Sequence, residues 1–173
     1  MTDVSALTAM QCACRQAISL YLVACDRKDI NQLLQAFERD AVWIRPGMGP
    51  MRGHAEIRAF FEAIFKKHAA ISSHGHLTRH CLTTVSITAL EPKRASGVSY
   101  ALVYRDATFN GILPTAMPEP ELVVEYRDIF VEAEEGWRIL QHEARHIFRS
   151  KLWGQQLSTD ELATLNLDEE KPI

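Results

Sequence analysis

Three of the seven histidines in this 173-residue chain, His74, His76 and His80, fall within seven positions of the stretch Ser-His-Gly-His-Leu-Thr-Arg-His-Cys-Leu-Thr-Thr that begins at Ser73. Histidine is the side chain whose ordinary pKa lies nearest neutral, so such a group entering a strand is a plausible source of general acid or base chemistry. A polar strand start with solvated histidines would look the same. A partner and a pocket are what would separate the two. On a strand His80 shares a face with His76, so both enter one environment unless a bulge intervenes. Near the C-terminus, Leu140, His142, Ala144, His146 and Phe148 alternate on one strand face, and the apolar neighbours suggest that His142 and His146 look inward. His54, His68 and His74 read as surface residues.

The elements that must position these groups follow from periodicity. Residues 5–26 form a first helix, because Cys14, Ile18, Tyr21, Leu22 and Cys25 recur along one apolar stripe. A shorter helix covers residues 30–38, with Asp29 placed to cap it. A strand over 40–45 contains Trp43 and ends in Pro46-Gly47-Met48-Gly49-Pro50, which no regular element crosses. Helix three starts at Gly53, and its Ile57, Phe60, Phe61, Ile64 and Phe65 read as core. From His76 the chain becomes strands, over 76–88, 97–107, 122–132 and 137–149, with an irregular loop over 110–121. Helices first and antiparallel strands afterwards is the α+β order. It predicts a cone-shaped α+β barrel in which the N-terminal helices pack in a strongly curved, mostly antiparallel sheet. Such a cone can hold a pocket. One domain over 1–150 and a tail over 151–173 are expected, the tail carrying a capping box at Ser158–Glu161.

Composition excludes several classes of function. The formal charge is only −3 and 47% of residues are hydrophobic, so no basic footprint for nucleic acid is present and a sizeable core is affordable. No apolar run approaches the roughly 20 residues of a membrane span, and Asp3 stands where a signal peptide would be basic. A cytoplasmic protein is expected. Cys12, Cys14, Cys25 and Cys81 lack paired spacing and read as small hydrophobes. A three-histidine metal site, from His76 and His80 with His142 or His146, is geometrically conceivable, but no acidic or cysteine spacing supports it, so a metal is not expected.

Seven pieces of sequence, in register, carry a resemblance. They are Ala-Ile-Ser-Leu-Tyr from Ala17, Cys-Asp-Arg-Lys-Asp from Cys25, Asp-Ala-Val-Trp from Asp40, Met-Arg-Gly-His-Ala-Glu-Ile from Met51, His-Leu-Thr-Arg-His from His76, Tyr-Arg-Asp-Ile-Phe from Tyr126 and Gly-Trp-Arg-Ile from Gly136. Over about residues 10–148 the chain resembles SnoaL-like proteins of the nuclear transport factor 2-like superfamily, which includes scytalone dehydratase, hexachlorocyclohexane dehydrochlorinase and ketosteroid isomerase. The resemblance implies a cofactor-independent lyase or isomerase of dehydratase, dehydrohalogenase or cyclase type. It also implies a pair in which Asp26, ending the first helix, orients His76 as the base. Tyr21, Trp43, Tyr100 and Tyr104 are candidates to line the pocket, with His80 and His142 as polar contacts. Some polyketide cyclases of this fold use an acidic residue of the later strands, which points to Asp128; an inward Asp128 must be paired or functional, because an unpaired buried carboxylate is costly.

The expected ligand is a small apolar or aromatic molecule, held by a homodimer or homotrimer. A second reading, from a different class, is a non-catalytic binding or assembly module such as the small subunit of a ring-hydroxylating dioxygenase. Fold alone does not choose between them.

Overall fold

The computed structural model describes residues 4–71, 74 and 76–150. The expected tail helix at 158–165 lies outside the described residues. Helix α1 runs Val4–Arg27 and α2 Ile30–Gln35; β1 is Phe37–Ile44, β2 Met51–Arg52 and α3 Gly53–Ile71. Four long strands follow: β3 Leu77–Glu91, β4 Arg94–Asp106, β5 Pro120–Ala133 and β6 Gly136–Arg149. They form one curved, unclosed six-stranded sheet of order β2-β1-β6-β5-β4-β3, in which only β1 and β6 run parallel. The α+β cone read from the sequence is therefore the fold, with β3 as a free edge.

Helix α1 packs on the concave face. Cys14, Ile18, Tyr21 and Leu22, four members of the predicted stripe, are buried there among Phe37, Trp43, Ile57, Phe61, Phe130 and Ile139. The helix ends in a tight motif: the amide of Lys28 donates to the Cys25 carbonyl and that of Asp29 to the Ala24 carbonyl. Lys28 takes the left-handed position, φ 59°, that usually falls to glycine. Asp29 then caps α2 by accepting from the Gln32 amide at 3.0 Å, as its position suggested. The second helix is shorter than predicted. Phe37 and Glu38 belong to β1, because Phe37 is drawn into the sheet beside Ile139 of β6.

The inner face of β4 is built from small residues, Ala95, Gly97, Ser99 and Ala101, all buried. Their size lets α1 and the large rings approach the sheet. At Gly97 an added Cβ would lie 2.7 Å from Ile87 Cδ1 and 2.9 Å from Phe130 Cε2. Phe130 is fully buried and cannot retreat. Gly97→Ala should therefore cost about 1–3 kcal/mol by overpacking. Urea denaturation that shows wild-type stability for this variant would contradict the close approach of Phe130 to β4.

Candidate functional site

Asp26 lies in the last turn of α1, where the helix dipole disfavours a negative charge by about 0.3–1 kcal/mol. It is stabilised from the sheet. Its Oδ2 accepts the backbone N–H of His80 at 3.0 Å, and its Oδ1 lies 2.6 Å from His80 Nδ1. Both bonds go to one residue because β3 is the edge strand, so an amide on its free side has no strand partner and is open to a side chain. Opposite an ionised carboxylate, Nδ1 is the nitrogen that carries the proton, leaving the Nε2 lone pair as the free basic position. The two side chains are 11% and 15% exposed, enough to meet a ligand and little enough to strengthen the pair.

The structure thus changes the expected partner of Asp26 from His76 to His80. His76 precedes the first residue of β3, four residues before His80, and makes no hydrogen bond to Asp26, whose two bonds go to His80. It is buried and stacks on His68, ring centroids 4.5 Å apart. Neither of its ring nitrogens has a hydrogen-bond partner among the described residues. Burial, then the charges of Arg105 and Lys28, lower its pKa. His68, expected at the surface, instead lines the cavity.

That cavity, of about 130 Å³, lies between the end of α1, the phenylalanine face of α3 and the sheet. Tyr21, Trp43 and His80 line it, together with Asp26, Phe60, Phe61, Phe65, Tyr126 and His146. Tyr100 and Tyr104 do not. They occupy the outer phase of β4, and Tyr100 is 41% exposed, so the inward positions at that end of the strand are Val103 and Arg105. Lys28, Arg45 and Arg105 also reach the lining. These cations carried no periodic signal, standing just beyond or near the ends of their elements. The loop over 46–50 follows lining residue Arg45, and the irregular loop expected over 110–121, which spans 107–119 between β4 and β5, lies between lining residues Arg105 and Leu122.

Asp128 and His142 form a second pair on adjacent strands, Oδ1 to Nδ1 2.6 Å, with both side chains fully buried. Asp128 is thus inward and paired. His142 sits beneath the cavity in a case of rings: Tyr21 at 4.7 Å, Tyr126 at 4.8 Å and Trp43 stacked at 6.1 Å. Trp43 Nε1 donates to the Tyr21 hydroxyl at 3.3 Å. Burial raises the Tyr21 pKa well above its ordinary value, so the phenol keeps its proton at neutral pH. Along β6, a bulge near residue 140 makes Ile139 the buried core residue in place of Leu140, and a second bulge leaves Phe148 67% exposed. Among the described residues no group of three His, Cys, Asp or Glu side chains converges as metal ligands. Among the described residues no helix is long and apolar enough to cross a membrane.

A SnoaL-like domain model matches residues 8–142. The chain belongs to the SnoaL-like family. Solved structures of the same fold include a hexachlorocyclohexane dehydrochlorinase from Novosphingobium barchaimii LL02, with TM-score 0.68, 13% identity, and coverage of 86% of this chain and 93% of that one. A proposed scytalone dehydratase from Novosphingobium aromaticivorans DSM 12444 gives TM-score 0.66 and 16% identity over 86% and 91% of the two chains. A nuclear transport factor 2-like protein with a cystatin-like fold, from Novosphingobium aromaticivorans, gives 0.65 and 22% over 91% and 98%. At these identities the likeness is one of fold. No curated protein sequence matches the chain at a significant level.

Two of the histidines around the cavity are held neutral well into acid. Burial first, then neighbouring cations, push His68 down to about 3 and His146 down to about 4; the cations are Arg105, Lys28 and Lys67 at His68, and Arg45 and Arg149 at His146. Below about pH 6.5 the unfolded chain takes up protons that these folded sites refuse. Stability from this source is complete above 6.5 and falls as pH is lowered towards 4 and then 3. The melting temperature should drop across that window, and the drop should be shallower in a His68→Gln, His146→Gln double variant. Equal slopes for wild type and variant would refute the assignment.

Proposed function

We propose that this SnoaL-like chain is a lyase or isomerase in which the Asp26–His80 pair abstracts a proton from a small, largely apolar molecule held in the cavity. The observation that carries this reading is the double anchoring of Asp26 on His80 at the cavity wall, 2.6 Å to the ring and 3.0 Å to the backbone. Nε2 of His80 takes the C–H proton, and the imidazolium so formed is stabilised by the carboxylate already bonded to Nδ1. The Tyr21 hydroxyl accepts from Trp43 and keeps its own proton. It is suited to donate that proton as a hydrogen bond to the oxygen or halide on which negative charge develops. Side chains suffice for these steps, in keeping with the cofactor-independent chemistry that the family resemblance implies.

The outer sheet face supports assembly. Val98, Tyr100, Ile147 and Phe148 are exposed there or at its rim, around an ion-pair group in which Glu125 joins Arg127 at 2.7 Å and Arg145 at 3.3 Å. A homodimer or homotrimer through this face would cover them. Light scattering at micromolar concentration should give a multiple of the chain mass; a monomer would count against this assembly.

Screening single-ring ketones, alcohols and halides for elimination or enolisation supplies a substrate, on which variants separate the two histidines. His80→Ala should lose more than about 100-fold in kcat, the lower range for positioned acid–base catalysis. Asp26→Asn should lose about 10²–10⁴-fold while still binding substrate. His76→Ala should stay within a few-fold. Near-normal turnover by His80→Ala would end the mechanism. Turnover by none of the compounds, with the chain purifying beside a larger iron-containing subunit, would favour the assembly-module reading.

A further inference from the structure

Arg45, the residue just after β1, places a half-buried guanidinium in the cavity wall. The guanidinium carbon lies 5.7 Å from the centre of the Phe60 ring, and Arg45 has no hydrogen bond or ion pair with any described residue. The other charges in the wall are already committed or of the same sign. Asp26 is held by the two N–H groups of His80, and Arg105 is matched by Glu121 at 3.1 Å. Lys28 adds a further positive charge at the end of α1. A partly desolvated cation that no described residue counters is costly beside the rings of Phe60, Phe61 and Trp43, and that cost is recovered when an anion binds. The neighbouring histidine cannot compete for the role, since burial and Arg45 itself keep His146 neutral.

Size limits the ligand. The cavity, about 130 Å³, approaches the roughly 150 Å³ that accommodates one benzene molecule. We propose that Arg45 is the anion-recognition residue of this cavity, and that the ligand is a single-ring or similarly small apolar carboxylate, its carboxylate on Arg45 and its ring among Phe60, Phe61 and Trp43. Bidentate bonding between a planar guanidinium and a carboxylate would fix the ring's orientation, which a ring-lined pocket alone leaves loose. The inference rests on the reading that this cavity is the substrate site, and it names the class of molecule that enters.

Binding tests it without turnover. Phenylacetate and phenylacetamide have nearly the same shape and differ in charge, so titration calorimetry of both against wild type, His80→Ala, Arg45→Gln and Arg45→Lys isolates the anion term. Phenylacetate should bind wild type about tenfold more tightly than the amide, and the preference should survive in His80→Ala. In Arg45→Gln the two affinities should converge. Arg45→Lys, which keeps a charge but loses the planar fork, should weaken phenylacetate and leave phenylacetamide unchanged; this variant carries the test should Arg45→Gln fail to fold. Equal wild-type affinities, no binding of either probe at millimolar concentration, or a preference that persists in Arg45→Gln would each overturn the proposal. A preference that survives in His80→Ala, in a protein whose His80 proves dispensable for turnover, would leave Arg45 standing and remove only the proton-transfer mechanism.

Discussion

The rest of the site depends on the bond between the last turn of α1 and the free edge of β3. An open sheet has an edge strand whose outward amides lack partners, and a helix has an end where an acidic residue opposes the dipole. Each feature alone is a liability. Asp26 and His80 resolve both, because one carboxylate oxygen satisfies the strand amide while the other fixes the imidazole. The same two bonds tie the helix to the strand at the cavity wall. A contact that stabilises the fold therefore also sets the tautomer of the proposed base, and the helix motif at Lys28 and Asp29 keeps the carboxylate in place by ending α1 abruptly.

Around that bond, packing sorts the chain into large and small. Helix α1 can lie across the concave face because the inward side of β4 is nearly bare, from Ala95 to Ala101. The space is refilled by rings from several elements, Tyr21 of α1, Phe37 and Trp43 of β1, Phe61 of α3 and Tyr126 of β5, which meet edge-on or stacked around His142. The cavity is what remains at the end of the cone where this filling stops and where the strands run into the two long loops. Its walls inherit both characters, with aromatic surface from α3 and charged groups from the element ends.

How much of this was legible in the sequence varies with the kind of signal. The α1 stripe, the Asp29 cap and the helix-then-strand order followed from local periodicity and capping, which each segment carries by itself. Asp26 could be singled out, but its partner could not. His76, Thr78 and His80 have the same strand parity, so alternation cannot say which of them lies level with the end of α1; that height is set by tertiary packing. Tyr100 and Tyr104 failed for a related reason. Large and small residues alternate along β4, and alternation alone does not say which set faces inward; a helix pressed into a narrow cone requires the small ones there. Gly97, Ser99 and Ala101 were the signal of close approach. Arg45 and Arg105 had no pattern to reveal them, since a cation near a strand end looks alike whether it faces water or a cavity.

The chain contains two Asp–His pairs with the same 2.6 Å geometry, and the contrast between them separates chemistry from architecture. At Asp26–His80 the rings and carboxylate keep some exposure and line a cavity, so the remaining imidazole nitrogen can meet a ligand. At Asp128–His142 both side chains are sealed, and Asp128 Oδ2 and His142 Nε2 have no hydrogen-bond partner among the described residues. Such a pair is costly to desolvate and contributes little net stability against an apolar replacement. It does impose geometry. It joins β5 to β6 and holds the imidazole between Tyr21 and Tyr126, so the rings forming the cavity floor pack against a group that cannot rotate. Geometry of the pair alone would rank the two equally. Access ranks them apart: the first borders the cavity, and the second can act only by keeping Tyr21, the donor proposed for that cavity, in its place.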